Sequence, residues 1–271
     1  MYIGLDIGGT KILLASLDEQ GVITEKQKFP TPRTYTAFLK DIAKAAEQLS
    51  THTFAAGAVG VPGEIDRNKG TIIALGNLPW HHCPIQADLE DIFHCPIVIE
   101  NDAKLAALSE AMLLKDNYKK VLYITISTGI GVGLVVNGII DTNLADAGGK
   151  AIMLENEGKI ESWEDFASGR AIVARFGKQA SDITDMRTWR IICRDIAKGL
   201  IHLIAITEPD VIVIGGGVGT YFSRYSTPLK AELEKYQLPL IKLPALIKAQ
   251  RPEKAVVFGC YDLAKQVFTH A

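Results

Sequence analysis

One local pattern occurs twice in this chain, and it limits the possible folds more than any other feature. Tyr2-Ile3-Gly4-Leu5-Asp6 leads into Ile7-Gly8-Gly9-Thr10-Lys11 and returns as Ile12-Leu13-Leu14-Ala15-Ser16. Val121 to Ile126 leads into Ser127-Thr128-Gly129-Ile130-Gly131-Val132-Gly133 and returns as Leu134-Val135-Val136. Each copy is a hydrophobic strand, a Gly/Thr hairpin and a second strand. The copies lie roughly 120 residues apart, which implies two related halves. No linker or low-complexity stretch separates them, so two lobes around a cleft are expected, and such a cleft is where small molecules usually bind.

The rest of the chain alternates short β-rich runs with helical stretches, the pattern of an α/β protein. Thr36 to Ser50 places Phe38, Leu39, Ile42, Ala45, Ala46 and Leu49 at helical spacing after the connector Lys28 to Pro32, which predicts an amphipathic helix. Phe54 to Val61 and Ile97 to Glu100 read as strands, and Asp102 to Lys115 as a helix. Glu164 to Gln179, Thr188 to Thr207 and Ser226 to Tyr236 read as helices, and Val211 to Ile214 as a buried strand entering Gly215-Gly216-Gly217. The final helix, Val256 to Thr269, is expected to pack back on the first half.

Composition excludes several classes. With 271 residues, 48% of them hydrophobic and 22% charged, the chain can bury a substantial core and is not a disordered polymer. A net charge of −2 gives no reason to expect a nucleic-acid partner, which calls for a basic excess. No run approaches the roughly 18 apolar residues of a membrane span, and Met1 to Leu5 lacks the basic start of a signal peptide. The four cysteines follow no disulfide rhythm. A cytoplasmic protein without membrane contact is expected.

Backbone amides approach phosphate oxygens where side chains are small, a hydroxyl or amine adds donors, and a strand end fixes the geometry. Asp6 to Lys11 supplies all three, and Ser127 to Gly131 supplies the first two again. Gly215-Gly216-Gly217 follows a strand that can end beneath a nucleotide. None has the Walker or the full dinucleotide pattern. Each alone reads first as a tight turn; three behind buried strands point to phosphate. Glu100-Asn101-Asp102-Ala103 precedes a helix. Asn101 or Asp102 serves as its cap in one reading. In the other, Asp102 takes the proton of an attacking hydroxyl that Asn101 holds.

The residues Asp6 to Lys11, Gly60-Val61-Pro62-Gly63, Glu100 to Ala103, Ser127 to Gly131 and Gly215 to Gly217 occur in the order and spacing of the ROK family (repressors, open reading frames, kinases), which the chain resembles over essentially its whole length. The resemblance implies an ATP- and Mg²⁺-dependent sugar kinase with a two-lobed, duplicated, actin-like and ribonuclease-H-like fold around a central cleft. It implies a lobe of residues 1–112 plus 255–271 on the sugar and phosphate side and a lobe of 113–254 on the nucleotide side. Asp6 would hold Mg²⁺ through water, and Gly8, Gly9, Thr10 and Lys11 would meet the donor phosphates. Thr128, Gly129 and Gly131 would grip the transferred phosphoryl, and Gly216 and Gly217 would line the adenosine. Asp102 would be the base. Gly63, Asn77, Asn101, Asp102 and Glu164 of Trp163-Glu164-Asp165-Phe166-Ala167-Ser168-Gly169 would bind the sugar. The family also implies a homodimer.

The chain departs from that family at one place. Many members carry Glu-x-Gly-His in the second lobe, with the His also serving a zinc site beside clustered cysteines. Here Ala145 to Leu154 holds neither residue, and no cysteine lies between Cys95 and Cys193. No structural zinc is therefore expected, and Asp146 or Lys150 is left to substitute at the sugar. Trp80-His81-His82-Cys83 and His94-Cys95 lack the ligand spacing of a metal site, and Trp80 reads as packing before it reads as a sugar platform. The leading expectation is phosphorylation of a hydroxyl of a hexose or N-acylhexosamine. Alternatives are a catalytically weakened sugar- or nucleotide-binding protein and a kinase using polyphosphate. A repressor is least favoured, because the first strand begins at Tyr2 with no helix-turn-helix ahead of it.

Overall fold

The hairpin that opens the chain is β1 (Tyr2–Ile7) and β2 (Lys11–Leu17), antiparallel with Asp6 opposite Leu13 and Ile7 opposite Ile12. The computed structural model describes residues 1–76, 78–236 and 242–268. Within them the chain divides into two compact units, Met1–Met112 with Lys254–Ala271, and Leu113–Glu253.

In the first unit β3 (Ile23–Pro30) pairs with β2 and alternates half-buried with exposed positions, as a sheet edge does. The sequence reading of Lys28 to Pro32 as a connector is corrected here, since Lys28 to Pro30 complete this edge strand. Helix α1 (Tyr35–Glu47) starts where the Thr34 hydroxyl accepts the Ala37 N–H, and it buries Phe38, Ile42 and Ala45. Strand β4 (Ala56–Val61) lies parallel to β1. A small sheet of β5 (Gly63–Asp66), β6 (Thr71–Leu75) and β7 (His81–Cys83) follows, then α2 (Ile85–Phe93). Strand β8 (Ile97–Asn101) lies parallel to β4 and runs directly into α3 (Asp102–Leu114). The sheet order is β3-β2-β1-β4-β8. Trp80 is packing: its ring is fully buried against Phe38, 4.9 Å between centroids, and its N–H donates to the Arg33 carbonyl.

The second unit opens on β9 (Lys120–Ile126), β10 (Ile130–Val136) and β11 (Ile139–Ile140). A separate hairpin of β12 (Met153–Asn156) and β13 (Lys159–Ser162) leads into α4 (Trp163–Ala167) and α5 (Gly169–Phe176). These are two helices where the sequence suggests one over Glu164 to Gln179. The break is at Ser168, whose extended backbone cannot continue a helix and whose hydroxyl caps α5 by accepting the Ala171 N–H. The long α6 (Met186–Thr207) buries one face, and Trp189 stacks on Tyr225 at 4.7 Å. Strand β14 (Val211–Gly215) enters α7 (Gly216–Gly219), a single turn, followed by α8 (Phe222–Glu234) and β15 (Ala245–Lys248). The sheet order is β11-β10-β9-β14-β15. Its first two pairings are antiparallel and its last two parallel, as in the first unit. The duplicated hairpins are therefore the visible part of a duplicated sheet.

Helix α9 (Ala255–Phe268) returns to the first unit and packs on β1 and β4; Thr269, the expected end, lies outside the described residues. At Gly259 the helix meets α3 so closely that a Cβ would collide with the Leu105 carbonyl oxygen and come within 2.5 Å of its carbon. Gly259→Ala must push two backbones apart, and overpacking of this kind costs about 1–3 kcal/mol or more. Urea unfolding is expected to show a lower midpoint with an unchanged slope.

Candidate active site

In the first unit the site is assembled from the C-terminal ends of three neighbouring parallel strands. Asp6 of β1 lies opposite Gly60 of β4, and Gly60 lies opposite Glu100 of β8. Asp102 follows at once as the first residue of α3. A side chain at Gly60 would reach within 2.5 Å of Val256 Cγ1 and 3.0 Å of Leu105 Cδ1, so the bare glycine lets both α9 and α3 settle close to β4.

Asp6 and Asp102 act on each other electrostatically. The Asp6 carboxyl is pushed from 3.8 up to about 7, chiefly by burial and next by the negative charge of Asp102, with Lys11 opposing. Two interacting carboxylates, one of them desolvated, form an all-oxygen environment in which a hard divalent cation relieves the repulsion. Residues at this position fit Mg²⁺. Among the described residues no group of three His, Cys, Asp or Glu side chains is placed to hold a metal ion directly.

Asn101 does what the capping reading asks. Its Oδ1 accepts the N–H groups of Ala103 at 3.0 Å and Lys104 at 3.3 Å, while its Nδ2 donates to the Gly63 carbonyl at 3.4 Å. Two donors saturate that oxygen, leaving the amide N–H as the group able to meet a further partner. Asp102 Oδ1 also accepts the Ala103 N–H, at 2.7 Å. Beneath them Glu100, 4% exposed, pairs with Arg67 and accepts the Asn101 N–H at 2.6 Å. Arg67 carries no sequence signal, because nothing local links it to a residue 33 positions on.

The first hairpin turn holds Gly8 against itself through Gly8 N–H to the Lys11 carbonyl, 3.0 Å, with Gly9, Thr10 and Lys11 exposed. Thr31 braces it: its hydroxyl donates to the Gly8 carbonyl at 2.6 Å and its N–H to the Thr10 carbonyl at 3.1 Å. That bracing role has no sequence signal, since Thr31 reads only as part of a proline-flanked connector.

In the second unit Ser127 N–H closes the turn on the Gly129 carbonyl at 2.8 Å, and Thr128 is exposed. Gly131 is not in the turn but in β10, opposite Thr125. Glu164, from the first turn of α4, sends Oε2 to the Ile130 N–H at 2.9 Å, and its carboxylate fills the space a Gly129 side chain would need. Gly216 has φ +77, and a Cβ there would lie 2.5 Å from the Ile126 carbonyl oxygen. It is a position for glycine on both counts. Gly217 has nothing within 4 Å of its Cβ position. The altered stretch around Asp146 passes through a 3₁₀ turn, Gly148–Lys150, with both glycines buried, and a Cβ on Gly149 would fall 2.7 Å from that of Ile130. Asn77 lies outside the described residues.

Duplicated five-stranded sheets of this order, each with a glycine hairpin at its first strand, define the ribonuclease-H-like, actin-like class of phosphotransferase folds. A glucokinase of Streptomyces coelicolor is 28% identical, with 98% of both chains covered. An N-acetyl-D-glucosamine kinase of Salmonella newport is 29% identical over 96% of this chain and 97% of its own. The crystal structure of a ROK family glucokinase from Streptomyces griseus, in complex with glucose and AMPPNP, superposes with a TM-score of 0.82 at 27% identity, covering 98% of this chain and 99% of that one. The ROK family profile matches residues 2–267, and the chain belongs to the ROK family.

Proposed function

We propose that this protein transfers the γ-phosphoryl group of ATP to a hydroxyl of a hexose or N-acylhexosamine, with Asp102 as general base. The observation that carries the reading is the placement of Asp102 at the start of α3, electrostatically coupled to Asp6 and flanked by Asn101. Phosphoryl transfer asks the protein for positioning, charge stabilisation and a base, and little covalent chemistry.

Asp102 takes the proton of the attacking hydroxyl, and Asn101 donates its free amide N–H to the sugar while its oxygen keeps α3 capped. Asn77, Glu164 and the Gly63 segment complete the sugar contacts. Gly8, Gly9, Thr10 and Lys11 meet the donor phosphates, and Lys11 brings the cation of that turn. Thr128 and Gly129 hold the transferred group, with Gly131 behind them in β10, and Gly216 and Gly217 lie along the adenosine. Mg²⁺, when bound through water at Asp6, neutralises charge on the phosphate oxygens. The kinship with glucokinases and N-acetylglucosamine kinases supports this substrate class, and the family supports a homodimer; the missing Glu-x-Gly-His and the lack of cysteine between Cys95 and Cys193 speak against the family's structural zinc. Among the described residues no helix is long and apolar enough to cross a membrane.

Coupled ADP release with ATP and Mg²⁺ against glucose, mannose, fructose, allose, N-acetylglucosamine and N-acetylmannosamine tests the reading. Turnover with at least one sugar, well above the sugar-free rate, is the expected result. Silence across the panel with AMPPNP still bound, seen by calorimetry, counts against it.

A further inference from the structure

The turn between β9 and β10 is gripped from outside on both of its backbone edges, and both grips come from one short stretch of chain. At one edge Glu164 Oε2 accepts the Ile130 N–H at 2.9 Å; at the other the Gly169 N–H donates to the Ser127 carbonyl at 2.7 Å. The two contacts are mutually dependent on missing side chains. A Cβ on Gly129 would strike the Glu164 carboxylate, and one on Gly169 would lie 2.5 Å from the Ser127 oxygen.

The gripping stretch is itself anchored. Ser162 caps α4 by accepting the Asp165 N–H, and Ser168 caps α5 by accepting the Ala171 N–H. Between the caps Trp163 is fully buried and donates its indole N–H to the Asp195 carbonyl at 3.1 Å, tying α4 to α6. On its outer side Glu164 has Arg170 at 3.7 Å from Oε1, and the same guanidinium lies 3.5 Å from Asp165 Oδ1.

We infer that Glu164 is a positioning residue for the phosphoryl-gripping turn: its carboxylate fixes the Ile130 N–H, and through it the Thr128-Gly129 backbone, whatever it also does at the sugar. The inference rests on the kinase reading above for what the turn grips. Displacements of about 1 Å in a phosphoryl-positioning group carry large rate penalties, so an acceptor oxygen held at this point has leverage beyond the strength of its own hydrogen bond. Sugar contact and phosphoryl grip then share one side chain.

The test compares binding of AMPPNP and of ADP, each with Mg²⁺, by calorimetry, because only AMPPNP presents a γ-phosphoryl. Glu164→Ala and Glu164→Asp are expected to weaken AMPPNP about tenfold, the asparatate being a methylene too short to reach Ile130, while ADP stays within about twofold. Glu164→Gln keeps an acceptor oxygen at full reach and is expected to bind AMPPNP within about twofold of the parent. If Glu164→Ala does not fold, the Gln and Asp variants carry the comparison. AMPPNP affinity unchanged in the Asp variant, with only the sugar KM raised, would overturn the inference; so would Gln failing while Asp binds normally, which would make the charge the operative feature. Failure of the parent on every sugar, with this nucleotide pattern intact, would strike the sugar-kinase reading and leave the turn's positioning in place.

Discussion

Replacing Asp102 by Asn is expected to remove sugar-dependent ADP release by about 10²–10⁴-fold, the usual worth of a general base. The fold should hold. The Asn Oδ1 can accept the Ala103 N–H as Asp102 Oδ1 does at 2.7 Å, and Asn101 caps α3 independently. AMPPNP affinity should stay within about twofold, because the change falls on the acceptor side of the transfer. An amide cannot take a proton from a hydroxyl, so a variant retaining more than a tenth of the parent's turnover would show that Asp102 is not the base.

Asp6→Asn carries the second large effect, and it separates activity from stability. With Asp6 as the proposed anchor of the Mg²⁺ water shell, activity should fall by a comparable factor, since a neutral amide would hold that shell poorly. Stability in metal-free buffer should move the other way. A carboxyl raised from 3.8 to about 7 costs the fold nothing below the lower value, and its cost grows with pH up to the higher value, then stays constant. At about 1.4 kcal/mol per pH unit the cost at pH 8 is on the order of 4 kcal/mol. Asn removes it. Calorimetric scans should show the variant melting roughly 5–10 °C above the parent at pH 8, with the two curves converging near pH 4. A variant that melts below the parent at pH 8 would contradict the strained-carboxylate account of the site.

Much of this architecture is legible in the sequence because its signals are local. Strand, glycine turn and strand follow one another directly in both halves, so the duplication and the hairpins could be read without partners. The boundary at Asp102 is marked by a capping residue next to it. What escaped reading depends on contacts distant in sequence. Ser168 breaks a helix whose apolar pattern runs on, because Gly169 must present its N–H to the Ser127 carbonyl 42 positions earlier. The sheet of β5 to β7 and the hairpin of β12 and β13 are short and polar, with little periodicity to announce them. Within the candidate site, Asp6 and Asp102 were legible, the first through the family resemblance and the second as a carboxylate at a helix start. Arg67 and Thr31 were not, since each acts by holding a residue more than twenty positions away.

Phosphorus NMR follows the chemical fate of the γ-phosphoryl group directly. With ATP, Mg²⁺ and the responsive sugar, a phosphomonoester resonance should grow in step with ADP and be absent with Asp102→Asn. Inorganic phosphate as the sole new species, or no change while AMPPNP binds, would contradict a sugar kinase built on Asp102.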